Sequence, residues 1–219
     1  MTRFVMILTL ILVVFGCRVR SDESFKFTGC SDASAAAFID SDTFIVADDE
    51  TNVLRAYSLN SPTPAAFYDL SSYLQTVDEH PEIDIEGAAK IGNRIYWISS
   101  HGRNKNGKMR PNRYRFFATD IIKEGTKLKI SPAEKYSSQL VHRLIADPEY
   151  RKFNLNKYTQ IYNKDEIEEL APKEKGLNIE GLAASKDGEK LYIGFRNPRP
   201  YKDKVRHALI AVLNNPAAV

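Results

Sequence analysis

The chain has 219 residues, with 31 basic and 28 acidic side chains and a formal net charge of +3. That near balance excludes a general polyanion binder, and no nucleic-acid partner is expected. Hydrophobic residues at 43% suffice for one large domain with a substantial core, while two cysteines are too few for a disulfide scaffold.

Arg3 precedes an apolar run from Phe4 to Phe15 that ends at Gly16-Cys17. A run of about 12 residues is too short for a membrane span of roughly 20 and fits the hydrophobic region of an export signal. Val14-Phe15-Gly16-Cys17 resembles a bacterial lipobox, although Phe15 is bulkier than that pattern usually allows. Residues 1–16 are therefore expected to be a signal peptide, with Cys17 lipidated and residues 17–30 forming a tether and domain entry. The protein would be exported to the periplasm or cell surface and membrane-anchored through lipid alone. Ordinary secretion is the alternative. With Cys17 acylated, Cys30 has no disulfide partner and reads as a small buried thiol.

From residue 31 onward, hairpins recur. The first unit predicts strands at Ala33–Ile39, Phe44–Ala47, Val53–Leu59 and Ala66–Leu70, separated by turns rich in Asp, Asn, Ser and Pro. The second predicts Ile85–Ile91, a turn at Gly92-Asn93, Ile95–Ser99, Tyr114–Thr119 and Lys127–Ile130. Ser131-Pro132-Ala133-Glu134 then matches a capping box, and Tyr136, Leu140, Val141, Leu144 and Ile145 recur at helical spacing. Asn163-Lys164-Asp165-Glu166 predicts a second, acidic helix that Pro172 ends. Residues 131–172 thus read as a helical insertion. The third unit follows with Ile179–Ala184, a turn at Asp187-Gly188, Lys190–Phe195 and Ala208–Leu213, one strand short of its predecessors.

Self-similarity on this scale marks a repeat architecture, and four successive antiparallel strands are the plan of a propeller blade. The expected fold is all-β: an incomplete β-propeller-like array of about three blades over residues 31–219, carrying the helical insertion.

Two units open on Ile-Glu-Gly, at Ile85-Glu86-Gly87 and Ile179-Glu180-Gly181. On innermost strands, Glu86 and Glu180 would stand at equivalent places around the axis, with Asp84 and Asn178 two residues earlier and Asp32 and Ser34 matching them in the first unit. A glycine after each glutamate suits a bulge that aims the carboxylate. Asp84, Glu86 and Glu180 are therefore candidate ligands for a hard cation, Ca²⁺ or Mg²⁺. The competing reading has these glutamates bonding backbone N–H groups of neighbouring blades, with no ligand.

The second strands end abruptly in polar residues: Asp48-Asp49-Glu50, His101-Gly102-Arg103-Asn104 and Arg196-Asn197. From His101 to Arg115 the chain carries Arg103, Lys105, Lys108, Arg110, Arg113 and Arg115 with no acidic residue between them. Arg103, Asn104, Arg113, Arg196 and Asn197 are candidates for holding an anionic group, because Arg forks match phosphate and carboxylate. His101 is the candidate catalytic or phosphate-contacting imidazole. A solvated hairpin tip is the alternative for the basic stretch. No nucleophile elbow, Walker loop or zincin motif is present.

Cys30-Ser31-Asp32-Ala33-Ser34-Ala35-Ala36, Ala47-Asp48-Asp49-Glu50, Asp84-Ile85-Glu86-Gly87-Ala88-Ala89, Tyr96 to Asn104, Arg110-Pro111-Asn112-Arg113 and Gly176 to Ala183 together resemble a bacterial family of unknown function, number 3616. The resemblance covers nearly all of the chain after Cys17. It implies a propeller-like β fold and no established activity. Members it resembles continue past Asn214-Asn215-Pro216. The Glu-Gly-Leu-Ala segment is also similar to esterase-like phytase propellers. Two functions stay open: a cell-envelope module binding a protein partner, an anionic small molecule or a glycan, or a metal-dependent phosphoester hydrolase.

Overall fold

The computed structural model describes residues 25–77, 79–125 and 127–218. The signal peptide expected at 1–16, the lipidation expected at Cys17 and the start of the tether lie outside the described residues. Three antiparallel sheets follow one another along the chain. The first contains β1 (Ala33–Phe38), β2 (Thr43–Asp48), β3 (Val53–Ser58) and β4 (Ser61–Asp69), paired in sequence order. After a short helix α1 (Ser71–Leu74), the second contains β5 (Ile85–Ile91), β6 (Arg94–Ser99), β7 (Phe116–Glu124) and β8 (Lys127–Pro132). The third places β10 (Lys190–Asn197) between β9 (Asn178–Ala184) and β13 (Leu209–Asn214), with a two-stranded hairpin, β11 (Tyr201–Lys202) and β12 (Val205–Arg206), intervening in sequence. Neighbouring strands join through tight turns, as at Gly92, whose φ of 58° glycine adopts without a Cβ penalty.

Alternation along β6 explains how the sheets stack. Ile95 and Trp97 point to one face and pack with Ala37, Ile45 and Leu54 of the first sheet. Tyr96 and Ile98 point to the other and pack with Leu191, Ile193 and Phe195 of the third. Successive strand residues face opposite sides, so a continuous apolar run is the mark of a sheet covered on both faces. The second sheet is that sandwiched layer. At its inner edge, β5 lies against β1 on one side and β9 on the other. Sheets stacked face to face with their first strands side by side form a propeller-like array. Over the described residues the fold is mostly β, built on four-stranded antiparallel sheets with few helices and no closed barrel.

The insertion differs from expectation. Ser131 and Pro132 do not open a helix. They extend β8, pairing with Asp120 and Thr119, and Ala133 still donates to the Ala118 carbonyl. Proline is tolerated there because β8 is an edge strand that need not donate outward. Helix begins only at α2 (Leu140–Ala146), which buries Leu140, Val141 and Leu144, and resumes at α3 (Leu155–Thr159). The second expected helix shrinks to one 3₁₀ turn at Glu168–Leu170. Its intended cap, Asn163, instead accepts from the Asp165 N–H at 2.8 Å in a local turn.

Cys30 is also not the buried core thiol expected. It is half-buried, and its Sγ donates to Asp48 Oδ2 at 3.2 Å. Burial, then the Asp48 carboxylate, push the thiol up to about 11. Nearby, Phe27 packs edge-on against Phe44 and Tyr57, closing the outer face of the first sheet. Among the described residues no helix is long and apolar enough to cross a membrane.

Candidate functional site

The three inner strands share one irregularity. In β5, Ile85 pairs with Ser99 and Gly87 with Ile98, so Glu86 has no partner in the ladder. In β9, Ile179 pairs with Phe195 and Gly181 with Gly194, which leaves out Glu180. In β1, Ala33 pairs with Asp48 and Ala35 with Ala47, which leaves out Ser34. A bulge re-aims the extra side chain, and the repeats place that side chain at corresponding positions. The Ser34 hydroxyl donates to the Ile85 carbonyl and so ties β1 to β5. Gly87 is needed for close approach: a Cβ there would stand 2.9 Å from Ile98 Cγ2 and 2.9 Å from Leu182 Cβ.

At this end of the inner strands lies a cavity of about 780 Å³. Asp49, Asp84 and Glu86 each offer a carboxylate oxygen, and those oxygens lie within 4.8 Å of one another. Asp84 is held in the left-handed region at φ 59°, just before β5, and its carbonyl accepts from the Ser100 N–H. Arg113 approaches Asp84 to 3.0 Å and Glu82 to 3.6 Å. Burial, followed by the charges of Asp84, Glu180 and Asp49, pushes Glu86 up to about 8. Burial raises Asp84 and Asp49 as well, with Arg113 opposing the shift at Asp84. Asp49 Oδ1 is buried without a hydrogen-bond partner. Calcium takes oxygen ligands at about 2.3–2.6 Å, so three oxygens this close can share one such ion.

Of the expected metal ligands, the structure brings Asp84 and Glu86 together and adds Asp49. Glu180 lines the same cavity but is engaged elsewhere: its Oε1 accepts from Arg196 Nη1 at 2.6 Å and from Asn178 Nδ2 at 2.9 Å. Asp49 was visible in the acidic run after β2, yet nothing local in the sequence placed it against Glu86.

The expected anion-binding residues divide. Arg113, Arg196 and Asn104 line the cavity, joined by Lys105, Arg110 and Lys173. Asn104 also organises its own loop, its Oδ1 accepting from the N–H groups of Asn106 and Lys108. Arg103 does not face the cavity. Only 2% exposed, it donates to the carbonyls of Gly107, Thr159, Gln160, Asn163 and Asp165. It is the buried post around which the insertion wraps, and it occupies the Asn163 and Asp165 carbonyls that the helix expected to open at Asn163 would have used. Asn197 lies outside the cavity and donates to the Pro172 carbonyl at 2.8 Å.

His101 is likewise away from the cavity. It is fully buried at φ 52°, with Nδ1 2.8 Å from the Ser99 carbonyl and its ring edge-on to Tyr114. Burial lowers it to about 4, so the imidazole is neutral at physiological pH. Among its described lining residues the candidate site therefore contains carboxylates and cationic side chains but no imidazole.

Stacked antiparallel sheets with bulge-aimed polar side chains at one end of their inner strands define a propeller-like repeat domain with an acidic pocket rimmed by basic residues. The family described as "Protein of unknown function (DUF3616)" matches residues 32–121 and 110–200, and the chain belongs to that family. The β-propeller domain of Myceliophteria thermophila Cps50 (Swd1) is structurally similar, with a TM-score of 0.41 and 9% identity. The match covers 84% of this chain, which spans 41% of that structure. No curated protein matches the sequence.

Proposed function

We propose that this domain is a binding module. Its inner-strand pocket takes a divalent cation, Ca²⁺ or Mg²⁺, on Asp49, Asp84 and Glu86, and through it an anionic small molecule or glycan of the cell envelope. The observation that carries this reading is the convergence of three carboxylate oxygens within 4.8 Å, one of them uncompensated enough to hold its proton to about pH 8. A cation there offsets the burial and the neighbouring carboxylate charges that raise Glu86, and Lys105, Arg110 and Arg196 supply the complementary charge for an anion beside it. Titration calorimetry with Ca²⁺ and Mg²⁺ at pH 7 tests it. Binding should release a proton from Glu86, seen as a dependence of the heat on buffer ionisation, and should be lost in Glu86→Gln. Absence of binding at millimolar cation overturns it.

Metal-dependent phosphoester hydrolysis is the second reading, favoured by cationic side chains sharing the cavity with the carboxylates. Turnover of a generic phosphoester panel with Ca²⁺ or Mg²⁺ that disappears in Glu86→Gln would establish it. The burial of His101 weighs toward binding, since it removes the expected general base from the cavity.

The address is proposed from the sequence: export, with anchoring through acylated Cys17. Arg3, the apolar run and the Gly16-Cys17 junction support it. Cys17→Ser should leave the precursor unprocessed or release the protein to the soluble fraction. Processing and fractionation identical to the parent would favour ordinary secretion.

A further inference from the structure

A second cavity, of about 620 Å³, opens between the connection from β6 to β7 and the helical insertion. Its charge character is opposite to that of the first. Lys108, Arg115 and Lys164 line it together with apolar Val77, Met109 and Ile161, and no described lining residue is acidic. Arg115 is the decisive group. It is only 8% exposed, and its Nε donates to the Leu74 carbonyl while Nη1 donates to the carbonyls of Pro111 and Tyr114. Its guanidinium carbon lies 4.9 Å from the centre of the Tyr136 ring. Among the described residues Nη2 has no hydrogen-bond partner and no carboxylate pairs with this cation. His142 lines the same cavity.

Buried cations are ordinarily paired, and buried donors ordinarily satisfied. Arg115 is held in place through its Nε and Nη1, its Nη2 is not engaged by a described residue, and the apolar walls beside it complement an anion with an apolar body. We infer that this cavity binds an organic carboxylate with an apolar body, its carboxylate on Arg115 Nη2 and its body against Met109 and Ile161. The volume falls in the range of about 300–1,000 Å³ usual for small-molecule sites. Lys108 and Lys164 add a positive rim that draws an anion in.

Titration calorimetry with 2-naphthoate, against naphthalene-2-methanol as the uncharged control, tests this. The carboxylate should saturate the protein at submillimolar concentration and bind at least about tenfold more tightly than the alcohol. Arg115→Lys keeps the charge but loses the fork, and should weaken naphthoate by about tenfold or more. Because Arg115 also holds backbone carbonyls, a second variant is needed. Ile161→Trp fills the wall without touching Arg115 and should abolish binding while the protein still melts cooperatively. Glu86→Gln should leave naphthoate affinity unchanged, which separates this site from the cation pocket. No binding at millimolar naphthoate, equal affinity for the alcohol, or wild-type affinity in a folded Ile161→Trp protein would each overturn the inference.

Discussion

Glu86→Gln should make the protein more stable, and only above mildly acidic pH. Folding raises the Glu86 carboxyl from its ordinary 4.5 to about 8. Between those values the unfolded chain has lost a proton that the folded chain keeps, so stability falls as pH rises through the window and levels off above about 8. At roughly 1.4 kcal/mol per pH unit the penalty has a ceiling of about 5 kcal/mol. Glu86 is only half-buried, and solvent screening reduces that to about 2 kcal/mol. The amide keeps the shape and carries no charge. The variant should match the parent within roughly 0.5 kcal/mol at pH 4. At pH 8.5 and without divalent cations, it should melt about 4–8 °C higher. Trp97, the single tryptophan and fully buried, reports unfolding through its fluorescence. A stability difference independent of pH would refute the reasoning, because a packing effect does not titrate.

Gly87→Ala should cost about 1–3 kcal/mol in urea melts, since its Cβ would meet Ile98 and Leu182 at 2.9 Å, between the second and third sheets. Arg103→Ala should destabilise by about 3–5 kcal/mol, because five carbonyls lose their donor. Hydrogen exchange should rise first across residues 159–166, and uniform loss of protection instead would show that the insertion does not depend on this side chain. Thr119→Val should cost about 1–2 kcal/mol by orphaning the Trp97 indole N–H, which donates to Thr119 Oγ1 at 3.0 Å in the core. An unchanged denaturation midpoint would contradict that account.

Much of the fold was legible because its determinants are local. The turn at Gly92, the alternation through β6 and the recurrence of Ile-Glu-Gly all depend on residues within a few positions of one another. They gave the strand boundaries of β5 and the correspondence of Ser34, Glu86 and Glu180. The capping-box match at Ser131 misled because an N-cap pattern is a weak preference. There, ladder pairing of Ser131 and Pro132 with Asp120 and Thr119 outweighed it.

The candidate site was only half legible. Residue types and periodicity identified Asp84 and Glu86, since both sit on one repeat strand and its approach. Asp49 arrives from the end of β2 in the neighbouring sheet, and only the stacking of β1 against β5 brings it within reach. Arg103 and His101 show the converse. The sequence specified a guanidinium and an imidazole in a basic stretch, but whether such groups face water or backbone carbonyls depends on what folds over them. The insertion folds over Arg103 and makes it an internal post, while His101 packs edge-on to Tyr114 as a neutral core imidazole. By itself, then, the sequence determined the repeat, the strands and the bulge-aimed residues, because these follow from short-range periodicity and turn chemistry. Tertiary structure alone decided which charges converge, which are paired and which are buried, because desolvation and Coulomb interactions depend on distance in space and not along the chain.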